Sequence, residues 1–156
     1  MLKKRIIPSL LLDNRRLVKT IKFKEKKYIG DPLNAIKIFN EKFVDELIIL
    51  DINSNKSKFG IDYEFLKDLF SECFVPVTYG GGISTVEEAD KIFKLGVEKV
   101  SLNSSVLQNK KILNNFVKKF GSQSIVINID IKKNFFNEYK VFNNKINKIE
   151  KKLDLI

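Results

Sequence analysis

The segment VPVTYGGGISTVEEADKIFKLGVEKVSLN, residues 75–103, decides the fold class. Residues 75–79 are a short β-branched run that indicates a buried strand, and Ser84 or Thr85 begins a helix over residues 86–95. A second strand is predicted over residues 99–103. Two strands joined by a helix form a right-handed unit with parallel strands, so the pattern predicts an α/β fold.

The same alternation of strand and helix extends in both directions from this segment. Further strands are predicted over residues 5–12, 46–52 and 124–131, and further helices over residues 32–42, 63–73 and 110–120. The stretch after the first strand, which includes residues 16–23, is predicted to be a long loop. Five strand–helix units are therefore expected in sequence.

Beyond residue 131 the alternation stops. Residues 134–142 can form a small hairpin, and residues 143–156 are rich in lysine and asparagine with a weak helical period. We therefore expect one domain over residues 1–142, followed by an irregular or weakly helical basic tail over residues 143–156.

Composition excludes several kinds of chemistry. The chain has no histidine, which removes histidine bases, histidine metal ligands and Ser-His-Asp systems. Its single cysteine, Cys73, can form neither an internal disulfide nor a multi-thiolate zinc site. No metal or cofactor is predicted, and a cytoplasmic setting fits the cysteine content and the lack of a signal peptide or membrane segment.

The formal net charge of +10 raises the question of a polyanionic partner. The lysines are scattered along the chain, and no nucleic-acid-binding motif accompanies them. We therefore predict neither a nucleic-acid nor a membrane partner, and attribute the charge mainly to a solvated lysine-rich surface.

A glycine triplet, Gly80, Gly81 and Gly82, lies between a predicted strand and a predicted helix. Glycines at this position let backbone N–H groups approach a phosphate closely. Asn103 and Ser104 follow the next strand and offer further polar groups at the same end of the sheet. Together they predict a phosphate site, whereas a strand-to-helix turn and a helix cap are the structural alternatives.

Carboxylates and a lysine extend this candidate site. Asp130 stands at the end of the fifth predicted strand, where α/β enzymes place acid/base groups, and Asp51 occupies the same place after the second strand. Lys19 lies in the predicted first loop and can close over an anion. Each residue alone is also compatible with a structural role.

Three charged residues mark the opposite ends of the strands. Arg5 begins the first strand, Glu46 the second and Lys99 the fourth. Because buried charges need partners, their shared position predicts an ion-pair ring at the amino ends of the strands. Surface salt bridges are the alternative.

Ordered matches along the chain resemble the HisF-type cyclase subunit of imidazole glycerol phosphate synthase, within the HisA/HisF family. They are KRIIP (4–8), LVK (17–19), GDP (30–32), DELIILDI (45–52), YGGGI (79–83), GVEKVS (96–101) with Asn103, and FGSQS (120–124) with Asp130. The resemblance covers residues 1–142. It implies a (β/α)8 barrel, of which this chain is expected to be a C-terminally truncated form with about five of the eight units. Length alone favours an open doubly wound sheet, since a complete barrel needs about 250 residues.

The resemblance also implies an activity and a partner. The family uses ammonia from a glutaminase subunit and a bisphosphorylated nucleotide to make imidazole glycerol phosphate and aminoimidazole carboxamide ribotide in histidine biosynthesis. Asp130 matches one of its two catalytic aspartates. Lys19, Asp51, Gly82, Asn103 and Ser104 match positions around one phosphate and the ribosyl group, and Arg5, Glu46 and Lys99 match the gate through which ammonia enters.

One position departs from the family. Leu11 stands where the family has its other catalytic aspartate, and the run SLLL (9–12) is similar to a divergent HisF-like branch associated with amidation of surface-glycan sugars. A subunit of a glycan amidotransferase and a non-catalytic remnant are therefore the alternatives to the histidine cyclase. We further expect the short chain not to perform the cyclase reaction alone, and to self-associate through exposed edges at its first and fifth strands.

Overall fold

The computed structural model describes residues 3–21, 25–54, 60–133, 135–143 and 148–152. The chain forms two compact units, Met1–Ser101 and Leu102–Ile156. Within the described residues, no helix is long and apolar enough to cross a bilayer.

A mixed sheet and the helices that connect its parallel strands build the first unit. The strands are β1 Ser9–Asp13, β2 Arg16–Ile21, β3 Glu25–Gly30, β4 Leu47–Asp51, β5 Val77–Gly80 and β6 Lys99–Leu102, the last of which ends at the unit boundary. The helices are α1 Pro32–Glu41, α2 Tyr63–Ser71 and α3 Val86–Lys94.

Strand order distinguishes the barrel from the doubly wound alternative. The sheet runs β3-β2-β1-β4-β5-β6, and β1, β4, β5 and β6 are parallel neighbours in chain order. A doubly wound sheet would reverse direction partway through this order. The sequential order is that of a (β/α)8 barrel, and the predicted fold class, a partial barrel, is confirmed.

Local sequence explains where the helices begin. Asp31 accepts a hydrogen bond from the Asn34 N–H at 3.1 Å, and Pro32 occupies the first turn of α1. At α3, Thr85 and Glu88 form a reciprocal capping box. Both helix starts agree with the sequence prediction, which left Ser84 or Thr85 open for the second.

The predicted long first loop is wrong, because residues 16–21 and 25–30 form an antiparallel hairpin, β2–β3. Asn14 and Arg15 have φ angles of 50° and 61°, which lets a two-residue turn fold β2 back onto β1. Lys19 therefore lies within a strand. The predicted exposed edge at the first strand is also wrong, since β2 pairs with it.

The second unit contains helices α4 Ser104–Gln108 and α5 Lys110–Phe120, a short 3-10 turn at Ser122–Ser124, and strand β7 Ile125–Ile127. The Asn128 N–H donates to the Leu102 carbonyl oxygen at 2.8 Å, immediately after β7. Beyond it, β8 Ile131–Lys133, β9 Tyr139–Asn143 and β10 Lys148–Lys152 form an antiparallel sheet in the order β10-β9-β8.

Three details of this unit differ from the sequence prediction. The fifth parallel strand ends at Ile127, so Asp130 lies between β7 and β8. An additional short helix, α4, begins directly at Ser104. In the predicted tail, residues 148–152 are a strand rather than a weak helix, because they pair with β9. A hairpin is present as β8–β9, but its first strand lies before the predicted start at Asn134, a residue outside the described ones.

Candidate functional site

The glycine turn after β5 packs directly on the end of β4. Gly81 and Gly82 have φ angles of 137° and 70°, in the left-handed region that favours glycine. A Cβ atom on Gly81 would collide with the Asp51 carbonyl oxygen, and one on Gly82 would lie 2.9 Å from Ser54 Oγ. Close packing therefore requires these glycines, and phosphate binding by the turn stays a prediction.

Gly80 has the same kind of packing requirement one residue earlier. A Cβ atom there would lie 2.8 Å from Leu50 Cδ2 and 2.9 Å from the Ser101 Cβ atom, on the two neighbouring strands. The whole triplet thus lets three adjacent strand ends approach one another.

Asp51 forms a tight turn at the carboxyl end of β4. Its Oδ1 accepts hydrogen bonds from the N–H groups of Asn53 and Ser54 at 2.9 and 3.0 Å. Burial raises the pKa of Asp51, and these two hydrogen bonds lower it only in part. The carboxyl group is therefore held by amide dipoles in a partly desolvated setting.

A cavity of about 70 Å³ opens beside Asp51. Its lining includes Arg15 and Asp62, which form an ion pair with an Nε–Oδ2 distance of 2.7 Å. The Arg15 guanidinium also lies over the Phe65 ring, 5.5 Å from its centroid. Sequence reasoning missed both charged residues. Asp62 has a recognisable signal, since it stands immediately before α2 and caps it through the Phe65 N–H.

A larger cavity of about 410 Å³ lies on the β1–β2–β3 face. Lys26 and Asp13 line it and form an ion pair at 2.8 Å. The Lys19 position is on the same hairpin, directly opposite Lys27 in the β2–β3 register, and its side chain is exposed. The structure therefore places Lys19 on the hairpin that lines this cavity, and its role in binding an anion stays a prediction.

The charges at the amino ends of the strands come together around Glu46. This residue is only 8% exposed, and its carboxylate accepts hydrogen bonds from Arg5 Nη1 and, at 2.9 Å, from Lys99 Nζ. The bond to Glu46 raises the pKa of Lys99. The structure thus brings the three predicted gate residues into one ion-pair cluster, while their role as a gate stays a prediction.

In the second unit, the structure joins two of the predicted site residues. Asn103 Nδ2 donates to Asp130 Oδ2 at 3.1 Å, and both side chains are half-buried. Asn103 precedes α4 but does not cap it with its side chain. The predicted alternative, a helix cap for Asn103, is therefore not what its side chain does.

Within the described residues, no group of three or more acidic or cysteine side chains is arranged to hold a metal ion.

Parallel strands in sequential order, with helices in their connections and polar turns at their carboxyl ends, define a partial (β/α)8-barrel protein. The chain belongs to the histidine biosynthesis protein family, whose model matches residues 5–155. The HisF-type resemblance seen in the sequence is thereby confirmed.

Individual relatives carry related names. A Pseudomonas aeruginosa protein, provisionally named imidazole glycerol phosphate synthase subunit hisF2, is 54% identical over 142 residues, which are 91% of this chain and 57% of that protein. The Methanococcus vannielii imidazole glycerol phosphate synthase subunit HisF is 40% identical over 138 residues, 88% of this chain and 51% of that protein. The chain spans about half the length of the curated relatives it matches.

Proposed function

We propose that this chain contributes to the ammonia-using cyclase site of an imidazole glycerol phosphate synthase. The observation that carries the proposal is the Asn103–Asp130 pair, because a half-buried carboxylate is held there by an amide N–H at 3.1 Å. Ring closure around an added ammonia requires protons to be moved, and an oriented carboxylate is a suitable acid or base. Asp130 is the candidate for that role.

The remaining predicted residues take supporting roles in this proposal. In the first unit, Lys19, Asp51 and the turn Gly80, Gly81 and Gly82 bind phosphate and ribosyl oxygens. In the second unit, Asn103 and Ser104 do the same beside Asp130. The support is chemical, since lysines, backbone N–H groups and hydroxyls are the usual ligands of phosphate.

The Arg5–Glu46–Lys99 cluster is proposed as the ammonia entrance, with a glutaminase subunit as the partner in a cytoplasmic complex. Paired charges around a buried carboxylate offer a polar route through an otherwise apolar strand end. An entrance of this kind would pass a small polar molecule when the ion pairs separate.

Leu11 favours a second candidate, the ammonia-using subunit of a surface-glycan amidotransferase. It lies in β1 opposite Leu50 and Val18, in an apolar setting, where the family resemblance implies a carboxylate. A leucine cannot move a proton, and losing an acid/base group costs about two to four powers of ten in rate. A different acceptor for ammonia would make that carboxylate unnecessary.

Deleting the gene in its source organism and measuring growth without histidine tests the proposal. We expect deletion to create a histidine requirement that the parent gene relieves and the Asp130→Asn allele does not. Asp68→Asn is the matched control, because Asp68 is exposed on α2 and should leave growth unchanged.

Other outcomes would decide against the cyclase. Growth without histidine together with loss of an amidated surface sugar would support the glycan amidotransferase. No change in either property would favour a non-catalytic chain.

A further inference from the structure

The register of the β8–β9 hairpin places a lysine on the same face as Asp130. Lys132 is paired directly with Lys140, and the Phe142 N–H donates to the Asp130 carbonyl oxygen at 2.8 Å, which extends the ladder by one pair. Side chains two residues apart in a strand point to the same side. Asp130 and Lys132 therefore share one hairpin face with Lys140 and Phe142.

Two lysines directly opposite each other destabilise an antiparallel pair unless their charges are compensated. The Lys140 ammonium lies 3.4 Å from a Glu138 carboxylate oxygen, so its charge has a partner. Lys132 lies instead over the Phe142 ring, 4.7 Å from the centroid. Among the described residues, no carboxylate lies within ion-pair distance of the Lys132 ammonium.

The contact with the Phe142 ring also restricts the position of the Lys132 ammonium group. A lysine packed on an aromatic face is attracted to the ring but keeps hydrogen-bond donors available, since the ring satisfies none of them conventionally. The ammonium is thus held beside the Asp130 position while still able to bind an anion.

We propose that Lys132 binds a phosphate oxygen of a phosphate monoester ligand, and that this ligand is the one on which Asp130 acts. The proposal rests on the proposed function for the phosphorylated nature of that ligand. Lys132 acts as a binding residue, and Phe142 positions its ammonium. A bisphosphorylated substrate would offer this lysine one of its phosphates.

The hairpin supplies a matched control. Lys133 is the next residue, is equally exposed, and packs in the same way on an aromatic ring, with its ammonium 4.9 Å from the Tyr139 centroid. It faces the opposite side of the hairpin. Lys132→Met and Lys133→Met therefore each remove one positive charge from β8 and differ in the face of the hairpin that they affect.

The test is a titration of the purified full chain with glycerol 3-phosphate, and separately with inorganic phosphate, followed by amide NMR shifts of residues 130–133 and 139–142. We expect Lys132→Met to raise the apparent Kd about tenfold and Lys133→Met to change it less than about twofold. Lys132→Arg should retain binding, which separates loss of charge from loss of folding.

Equal weakening by both methionine variants would overturn the proposal, because general positive charge would then explain the affinity. Absence of hairpin shifts in the parent up to 50 mM of either ligand, about the limit for a weak anion site, would also reject it. These outcomes are independent of the growth test, in which failure of Asp130→Asn to matter would reject the cyclase function itself.

Discussion

Strand β4 carries a carboxylate at each end, Glu46 immediately before it and Asp51 as its last residue. Glu46 is surrounded by cations, whereas the Asp51 Oδ1 is held by the backbone N–H groups of Asn53 and Ser54. Both are substantially removed from water, yet burial raises the pKa of Asp51 despite its hydrogen bonds.

This difference shows two ways of keeping a charged group in a barrel-like sheet. Full charges compensate Glu46 directly, so that removing its carboxylate would leave the Arg5 and Lys99 charges less compensated. Amide dipoles hold Asp51, and burial still raises the pKa of its carboxyl group above the ordinary value. The amino end of the strand is therefore suited to fixed electrostatic pairing, and the carboxyl end to binding or proton chemistry.

The largest expected effect is at the carboxyl end. Gly81→Ala should destabilise the chain by about 3 kcal/mol or more, because the new Cβ collides with the Asp51 carbonyl oxygen in a left-handed conformation. Chemical denaturation of both proteins measures this difference.

Gly96→Ala is the control for that measurement. Gly96 has a φ of 94°, but a Cβ atom there would meet nothing within 4 Å. Its cost should be limited to backbone strain, about 1–2 kcal/mol. Equal losses for the two variants would mean that contact with the β4 turn contributes nothing.

The next effect is at the amino end. Glu46→Gln should cost about 1–3 kcal/mol, because it removes the buried carboxylate that Arg5 and Lys99 share, leaves Lys99 with only the exposed Glu98 among the described residues, and preserves side-chain size. Glu98→Gln is the control, since Glu98 is 54% exposed and contacts Lys99 at 3.3 Å. We expect that variant to lose less than about 0.5 kcal/mol in the same denaturation experiment. A loss as large as that of Glu46→Gln would show that burial of the carboxylate is unimportant here.

Sequence alone predicted much of this contrast. The glycine turn, the caps at Asp31 and Thr85, and the charges at the starts of β4 and β6 are local signals that the structure bears out. Arg5 was expected to begin the first strand, but it lies ahead of β1, which begins at Ser9.

The sequence could not predict which side chains form hydrogen bonds when they are far apart in the chain. Nothing local shows that the Asn103 Nδ2 donates to Asp130, because an asparagine before a helix is equally a signal for a cap through its Oδ1.

The first hairpin was missed for a related reason. Two-residue hairpin turns are usually recognised from Asn-Gly or Asp-Gly, and here the turn is Asn14-Arg15, with positive φ at a non-glycine residue. Arg15 also forms an ion pair with Asp62, which is 47 residues away in the chain. The turn therefore occurs together with a long-range ion pair, and the local sequence around residues 14 and 15 predicts neither.

The smallest effect concerns the pH dependence of Asp51. Its folded pKa lies above the ordinary value of 3.8, so the folded state holds a proton that the unfolded state releases as pH rises through and above that value. Stability contributed by the protonated form is thus present at low pH and lost on going to neutral pH. Asp51→Asn keeps an oxygen acceptor for the Asn53 and Ser54 N–H groups but cannot ionise. The stability of the variant relative to the parent should therefore increase between pH 3 and pH 7, by about 1 kcal/mol or less.

Denaturation curves at several pH values measure this change in relative stability, with Asp68→Asn as an exposed control whose difference from the parent should stay nearly constant. A relative loss of stability with rising pH would mean that the hydrogen bonds from Asn53 and Ser54 outweigh burial and lower the folded pKa of Asp51.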